Sequence, residues 1–428
     1  MHRVTAVAAG GPGSRAPATT LRIVLTVFLP FTTGYYLSYL YRSVNAVIAP
    51  QLIADIGLTA SDLGLLTAAY FLAFAAFQLP LGLLLDRFGP RRVQSVLLLS
   101  AALGAAVFGL GDSKAVLVAG RALIGLGVAG GLMASLKAIT LWFPRERWPL
   151  VNGWFVAMGG LGAMSATAPV EALLQVTDWR GLFFGLSAAT LAASALIYVV
   201  VPERPASGAS GESAAQPQAA GLGRIYRDPL FWRLAPLGAT CFAAQMAIQG
   251  LWAGPWLRDV AGFDRDQVAG TLLLLTGAMT AGFLLTGLVA DFLGRRGVGL
   301  ASILAVGTAL LLLAQAVIVL GVMPRSPWPW LLMGLTANMA ILIFPMLSGH
   351  FGVASAGRAN TAFNVMVFSG AFGAQYAIGW IIDFWPLADD GGFLPAAYSA
   401  ALGIVLALEL AAFAWFLIAG RRPGASLR

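Results

Sequence analysis

Arg42 sits inside a long apolar stretch, with Tyr39 and Tyr35 three and seven residues before it. On a helix those spacings place all three side chains on one face. A guanidinium with two phenolic hydroxyls beside it makes a clamp for an oxyanion. The alternative is an arginine that ties helices together through a carbonyl or an acid. Either way a role is expected, because a charge within an apolar helix costs about 2.5 kcal/mol or more to insert. Lys137 is one of only two lysines and the only one within an apolar stretch. It is suited to hold an anion, or to snorkel toward a polar interface.

Neutral polar side chains gather in the second half of the chain. Gln245, Gln249, Trp252 and Trp256 follow the i, i+4, i+7, i+11 pattern of a helical face. Asn338 lies in the middle of an apolar stretch, and Asn364, Phe368 and Gln375 share another face. Amides would orient a ligand by hydrogen bonds and aromatic rings would wall it. Interhelical hydrogen bonding, worth under about 2 kcal/mol per pair, explains each of them equally well singly. Glu171 and Asp383 lie toward span ends and are the candidates to carry a proton, or else are interfacial residues in water. Glu409, in the last apolar stretch, receives no assignment. With one cysteine and two histidines, neither a disulfide nor a Cys/His metal site is expected. No nucleophile and base or paired carboxylates converge within a span, and there is no P-loop. No enzyme, no cofactor and no bound metal are expected.

The elements that must position these residues follow from composition. Of 428 residues 59% are hydrophobic and only 10% charged, against about 25% charged in soluble domains. Soluble, disordered and fibrous classes are excluded. Continuous runs rich in Leu, Ala and Gly favour helices over the alternating strands of a membrane barrel. Twelve transmembrane helices are predicted, near 23–51, 61–84, 92–111, 115–142, 150–175, 181–201, 233–257, 267–290, 298–320, 328–349, 361–384 and 396–419. Lys and Arg sort 18 to 5 between the two sides, with Arg42, Arg121 and Lys137 inside spans. This bias puts both termini in the cytoplasm. The net charge of +8 is therefore topological, and no nucleic-acid partner is expected. Residues 202–228 are rich in Pro, Gly, Ser and Ala, the composition of a linker. The expected organisation is a cytoplasmic tail (1–22), a six-helix bundle (23–201), a cytoplasmic linker (202–232), a second six-helix bundle (233–420) and a tail (421–428).

The two halves repeat. Gly82, Asp86, Arg87, Gly89, Arg91 and Arg92 spell G-x-x-x-D-R-x-G-x-R-R, and Gly82, Asp86, Gly89 and Arg91 recur 205 residues later as Gly287, Asp291, Gly294 and Arg296, with Arg295 beside them. Pro50 and Pro255 keep the same offset. A duplicated bundle places a ligand site between its halves near mid-membrane. The loop residues form a candidate latch: Gly82 admits a close neighbour, and Asp86 at a helix end accepts bonds from an Arg or from another helix N-terminus.

The loop motif resembles the signature of the major facilitator superfamily, weaker second copy included. Arg121, Gly125 and Gly127 resemble its fourth-helix R-x-x-x-G-x-G element. Membership implies an all-α fold of two six-helix bundles and transport by alternating access, with a coupling or structural role for Arg121. The resemblance covers essentially the whole chain. Gly34, Tyr35, Tyr39 and Arg42 are similar to a first-helix segment of organophosphate antiporters, and Arg42 with Asn45 to the R-x-N element of anion:cation symporters. Both imply an anionic substrate. The second arginine of the former is Ala247 here, and the fourth-helix glutamate of the latter is Val128. Gly153 and Gly162 match part of the drug-antiporter signature, whose Gly-Pro step is replaced by Ala166 and Thr167. The resulting expectation is a secondary transporter for a small organic anion, by proton symport or anion exchange. It would be monomeric, lipid-embedded and multi-pass in a bacterial inner membrane. A multidrug or neutral-solute proton antiporter and a non-transporting sensor on the same fold are the alternatives.

Overall fold

The computed structural model describes residues 18–144, 147–203, 222–388 and 391–419. Residues 1–17 of the expected tail at 1–22, all of the tail at 421–428, and most of the linker lie outside the described residues; the rest of the first tail is helical from Ala18. What is described is almost wholly helical. Among the described residues, eleven stretches are long and apolar enough to cross a membrane. The twelfth is a broken pair, Trp148–Ser165 continued by Ala168–Leu174.

In chain order the spans are α1 (Leu21–Ser43, continued by Asn45–Ile56), α2 and α3 (60–88 and 90–109), α4 (Lys114–Val128 and Gly131–Trp142), α5 (the broken pair above) and α6 (Trp179–Val200). The second half holds α7 (Pro229–Asp259), α8 (Arg265–Gly294), α9 (Leu300–Val319), α10 (Trp328–Phe351), α11 (Val353–Ile382) and α12 (Pro395–Ala419). The seventh span starts earlier than hydropathy suggests. Asp228 accepts from the Leu230 and Phe231 amides, so the helix begins at Pro229, inside the expected linker.

Local chemistry sets the ends of these helices. Thr59 and Asp62 form a reciprocal capping box at the start of α2, and Asp264 and Gln267 form one at the start of α8. The two boxes stand 205 residues apart, the offset of the loop repeat. Gly89 separates α2 from α3 with φ 75° and ψ 162°, a region essentially reserved for glycine. Several spans are also interrupted. α1 breaks at Val44, and α7 contains a π turn at Ile248–Trp252. α4 breaks at 129–130, and α10 passes through a 3₁₀ turn at Met339–Leu342. Backbone freed in this way is tolerated at membrane depth only when buried in protein or facing a cavity.

The halves meet chiefly where α1 packs on α7, α2 on α11 and α5 on α8. Glycines let the backbones touch. A Cβ on Gly254 would lie 2.0 Å from the Ala46 carbonyl oxygen, one on Gly379 2.3 Å from that of Ala60, and one on Gly64 2.5 Å from that of Gln375. Three hydrogen bonds cross the seam among the described residues. The Asp383 carboxylate accepts from the Ala60 and Ser61 amides at 2.9 Å each, and Gln249 Nε2 donates to Ser43 Oγ at 3.1 Å. The Asp383 bonds and the Gly254 and Gly379 contacts lie toward the end opposite the arginine-rich loops. Toward the arginine-rich end, the described ion pairs stay within one half: Arg91 and Arg92 with Glu203, Lys137 with Asp86, Arg295 with Asp291, and His350 with Asp228.

Candidate functional site

The interrupted helices surround a central cavity of about 110 Å³. Tyr39 and Arg42 of α1 and Val156 and Gly160 of α5 face it from one half. Gln245 and Gln249 of α7, Thr276 and Thr280 of α8 and Asn338 of α10 face it from the other. An adjoining cavity of about 200 Å³ adds Tyr35, Gln78, Met133, Asn364 and Phe368. A vestibule of about 260 Å³ continues toward the arginine-rich end, past Gln78, Asn364 and Phe368 to Asp86 and Lys137.

Arg42 is 8% exposed and lines both inner cavities. Its guanidinium carbon lies 4.7 Å from the centre of the Tyr39 ring, 5.7 Å from Phe74 and 5.9 Å from Phe71. Faces of aromatic rings stabilise a cation without neutralising it. No carboxylate pairs with Arg42 among the described residues, and its Nε has no hydrogen-bond partner. Tyr35 is held by stacking on Phe155, with ring centres 4.4 Å apart, and its hydroxyl donates to that of Tyr39 at 3.4 Å. The three side chains that the spacing places on one face thus lie together, and no acid neutralises Arg42 among the described residues.

On the facing wall, Gln245 Nε2 donates to Gln249 Oε1 at 3.3 Å, and Gln249 passes its own amide to Ser43. Asn338 Nδ2 donates to the Met279 carbonyl at 2.9 Å, which leaves its oxygen as the available acceptor. Two of the expected ligand contacts lie behind the wall. Trp252 is fully buried and Gln375 donates to the Met246 and Ala247 carbonyls at 3.1 and 3.4 Å. Those carbonyls stand at the entry to the π turn, where the change of hydrogen-bond register needs an outside donor.

The remaining predicted residues are spread along the axis. Arg121 is fully buried and its Nη1 donates to the Tyr41 carbonyl at 3.0 Å, just before the break in α1. A cation at the C-terminal end of a half-helix offsets its dipole. Asn45 Nδ2 donates to Thr67 Oγ1 at 2.9 Å, tying α1 to α2. Glu171 lines a third cavity, at the end opposite the arginine-rich loops, with Gln51, Arg258 and Arg265. Asp383 caps α2 across the seam. Glu409 is fully buried away from the cavities and accepts from Gln315 Nε2 at 3.3 Å. Among the described residues, no hydrogen bond or ion pair of the loop residues crosses the seam. Asp86 pairs with Lys137 of its own half, Arg87 lies over Phe88, Arg296 over Phe292, and nothing approaches within 4 Å of a Cβ on Gly82. Thr276, Thr280 and Phe283 were missed. Both threonine hydroxyls donate four residues back within α8, the common state of any threonine in a span, so their sequence signal is weak.

Comparison with known proteins agrees with this architecture. The chain is 27% identical over 274 residues to a probable sulfoacetate transporter of Cupriavidus necator, covering 61% of each protein. It is 27% identical over 293 residues to a probable L-galactonate transporter of Escherichia coli, covering 64% of this chain and 63% of that one. It thus spans under two thirds of the length of these relatives. Among solved structures, a bacterial homologue of the human lysosomal transporter Spinster, inward-facing and unoccupied, superposes with a TM-score of 0.77 over 96% of this chain and 98% of that one at 18% identity. A D-xylose–proton symporter gives 0.68 over 91% and 97% at 18% identity. The family model described as Major Facilitator Superfamily matches residues 31–375. This chain belongs to the Major Facilitator Superfamily.

Proposed function

We propose that the protein is a secondary active transporter that moves a small organic anion across a bacterial cytoplasmic membrane by alternating access. The observation that carries this reading is Arg42: a guanidinium on the wall of the central cavity, walled by aromatic rings and paired with no acid among the described residues. A lone positive charge in a low-dielectric cavity attracts an anion and supplies the countercharge that lets it cross. Tyr35 and Tyr39 add hydroxyl donors. Gln245, Gln249 and Asn338 face the opposite side of a bound molecule, which suits a hydroxylated or amide-accepting body. The relatives named for sulfoacetate and L-galactonate support an anionic cargo.

The arginine-rich end is assigned to the cytoplasm by charge bias, with both termini there. The conformation is then inward-facing: sealed outside by Asp383 and the glycine contacts, open inside through the vestibule. Coupling is by proton symport or anion exchange, with Glu171 and Asp383 as the carboxylates near the outer mouth. The working unit is a monomer in lipid.

The test is thermal stabilisation of the purified protein by carboxylates, sugar acids, sugar phosphates, neutral sugars and cationic drugs, with Arg42→Gln beside wild type. A ligand at 100 times its dissociation constant adds about 2.7 kcal/mol to the native state. Stabilisation by one anion class, lost in Arg42→Gln, is the expected result. Stabilisation by cations or neutral compounds that survives the substitution overturns the reading.

A further inference from the structure

The ion pair in the vestibule joins two residues that the sequence assigns to different tasks. Lys137 comes from the second segment of α4 and Asp86 from the end of α2, and both line the cavity that opens toward the arginine-rich end. Their side chains are 31% and 74% exposed. They meet in water, where such a pair is weak and exchangeable. Gln78, Met133, Asn364 and Phe368 line both this vestibule and the cavity that holds Arg42. An anion moving between Arg42 and the arginine-rich end therefore passes the Lys137 ammonium.

The group found at that ammonium is a carboxylate tethered to the protein. We propose that Lys137 is a second anion station on the transport path and that Asp86 is its built-in occupant, displaced when a carboxylate- or sulfonate-bearing solute arrives. The exchange is charge-neutral at Lys137, so the solute is handed on without leaving a bare cation or stripping an anion into apolar surroundings. The displaced Asp86 has Thr361 and Asn364 of α11 as hydrogen-bonding side chains on the other half's wall of the vestibule. Arrival of cargo at Lys137 thus frees the acid that can bridge the seam at this end. The inference rests on the anion reading of the central cavity.

A double-mutant cycle read by calorimetry tests it. The full chain in detergent, at fixed ionic strength, is titrated with whichever of sulfoacetate, L-galactonate and a hexuronate binds the wild type. Lys137→Gln weakens binding. Asp86→Asn removes the competitor and tightens binding by about 1.4- to 5-fold, the span of an exposed ion pair. In the Lys137→Gln background Asp86→Asn has no effect, and Lys137→Arg, which keeps the charge, restores the Asp86-dependent tightening. Equal tightening in both backgrounds reveals only the general field of a lost negative charge and overturns the station. No tightening in either overturns it too. If binding then still disappears in Arg42→Gln, the central site stands without it. If no anion binds the wild type, both fall.

Discussion

Gly254→Ala should open the sealed end of the molecule. The added methyl would stand 2.0 Å from the Ala46 carbonyl oxygen and 3.0 Å from its carbon. Ordinary contact begins at 3.4 Å, so α1 and α7 must part by roughly 1.4 Å or the helices must turn. Both partners are backbone, and no rotamer relieves the clash. Overpacking of this kind costs about 1 to 3 kcal/mol. The cost falls only on the conformation in which α1 and α7 touch here, so it becomes a shift of about 5- to 150-fold in the ratio of closed to open populations. Spin labels at Val176 and Val322, exposed on opposite halves at this end, read the change as a longer distance distribution in a Cys241→Ala background. Gly270→Ala is the control, since nothing lies within 4 Å of a Cβ there. A distribution unchanged by Gly254→Ala, or moved as far by Gly270→Ala, refutes the argument.

Asp383→Ala removes the acceptor of two backbone amides at the start of α2. It should move the same distance distribution in the same direction by about 0.3 to 1 kcal/mol, the value of an exposed charged cap. Gly89→Ala forces a side chain into φ 75° and ψ 162° and should cost about 1 to 3 kcal/mol in thermal unfolding, whereas Gly82→Ala, in open space, should cost far less. Glu409→Gln keeps the hydrogen-bonding shape of a residue that lines no described cavity, so anion flux into liposomes should match wild type; a large loss would give Glu409 a part in transport.

The spans and the shared face of Tyr35, Tyr39 and Arg42 were legible because they rest on local rules. Hydropathy marks the helices, and Tyr35, Tyr39 and Arg42 precede the break in α1, so the 3.6-residue period still holds where it is applied. The same period fails in α7. Gln245 and Gln249 reach the cavity as spaced, but the π turn at Ile248–Trp252 adds to the register and carries Trp252 off the face. Sequence carries no local sign of that turn; Gln375, which donates to the Met246 and Ala247 carbonyls at its entry, is 129 and 128 residues away from them. Asp383 is a similar case. Its carboxylate looks like any span-end acid until the start of α2 is placed against it, and that placement depends on helix packing across the seam.

The arginine collar has an energetic side of its own. Asp86, Asp291 and Glu203 are occupied by cations of their own halves, while Arg87 and Arg296 rest on Phe88 and Phe292 with no acidic partner among the described residues. Bringing the two halves together at this end crowds like charges from both. As this end closes, the clustered arginines of the two halves would repel each other and act as a spring that holds it apart. Mobile ions soften that spring over a Debye length of about 8 Å at physiological ionic strength. Closure of this end should then quicken with salt.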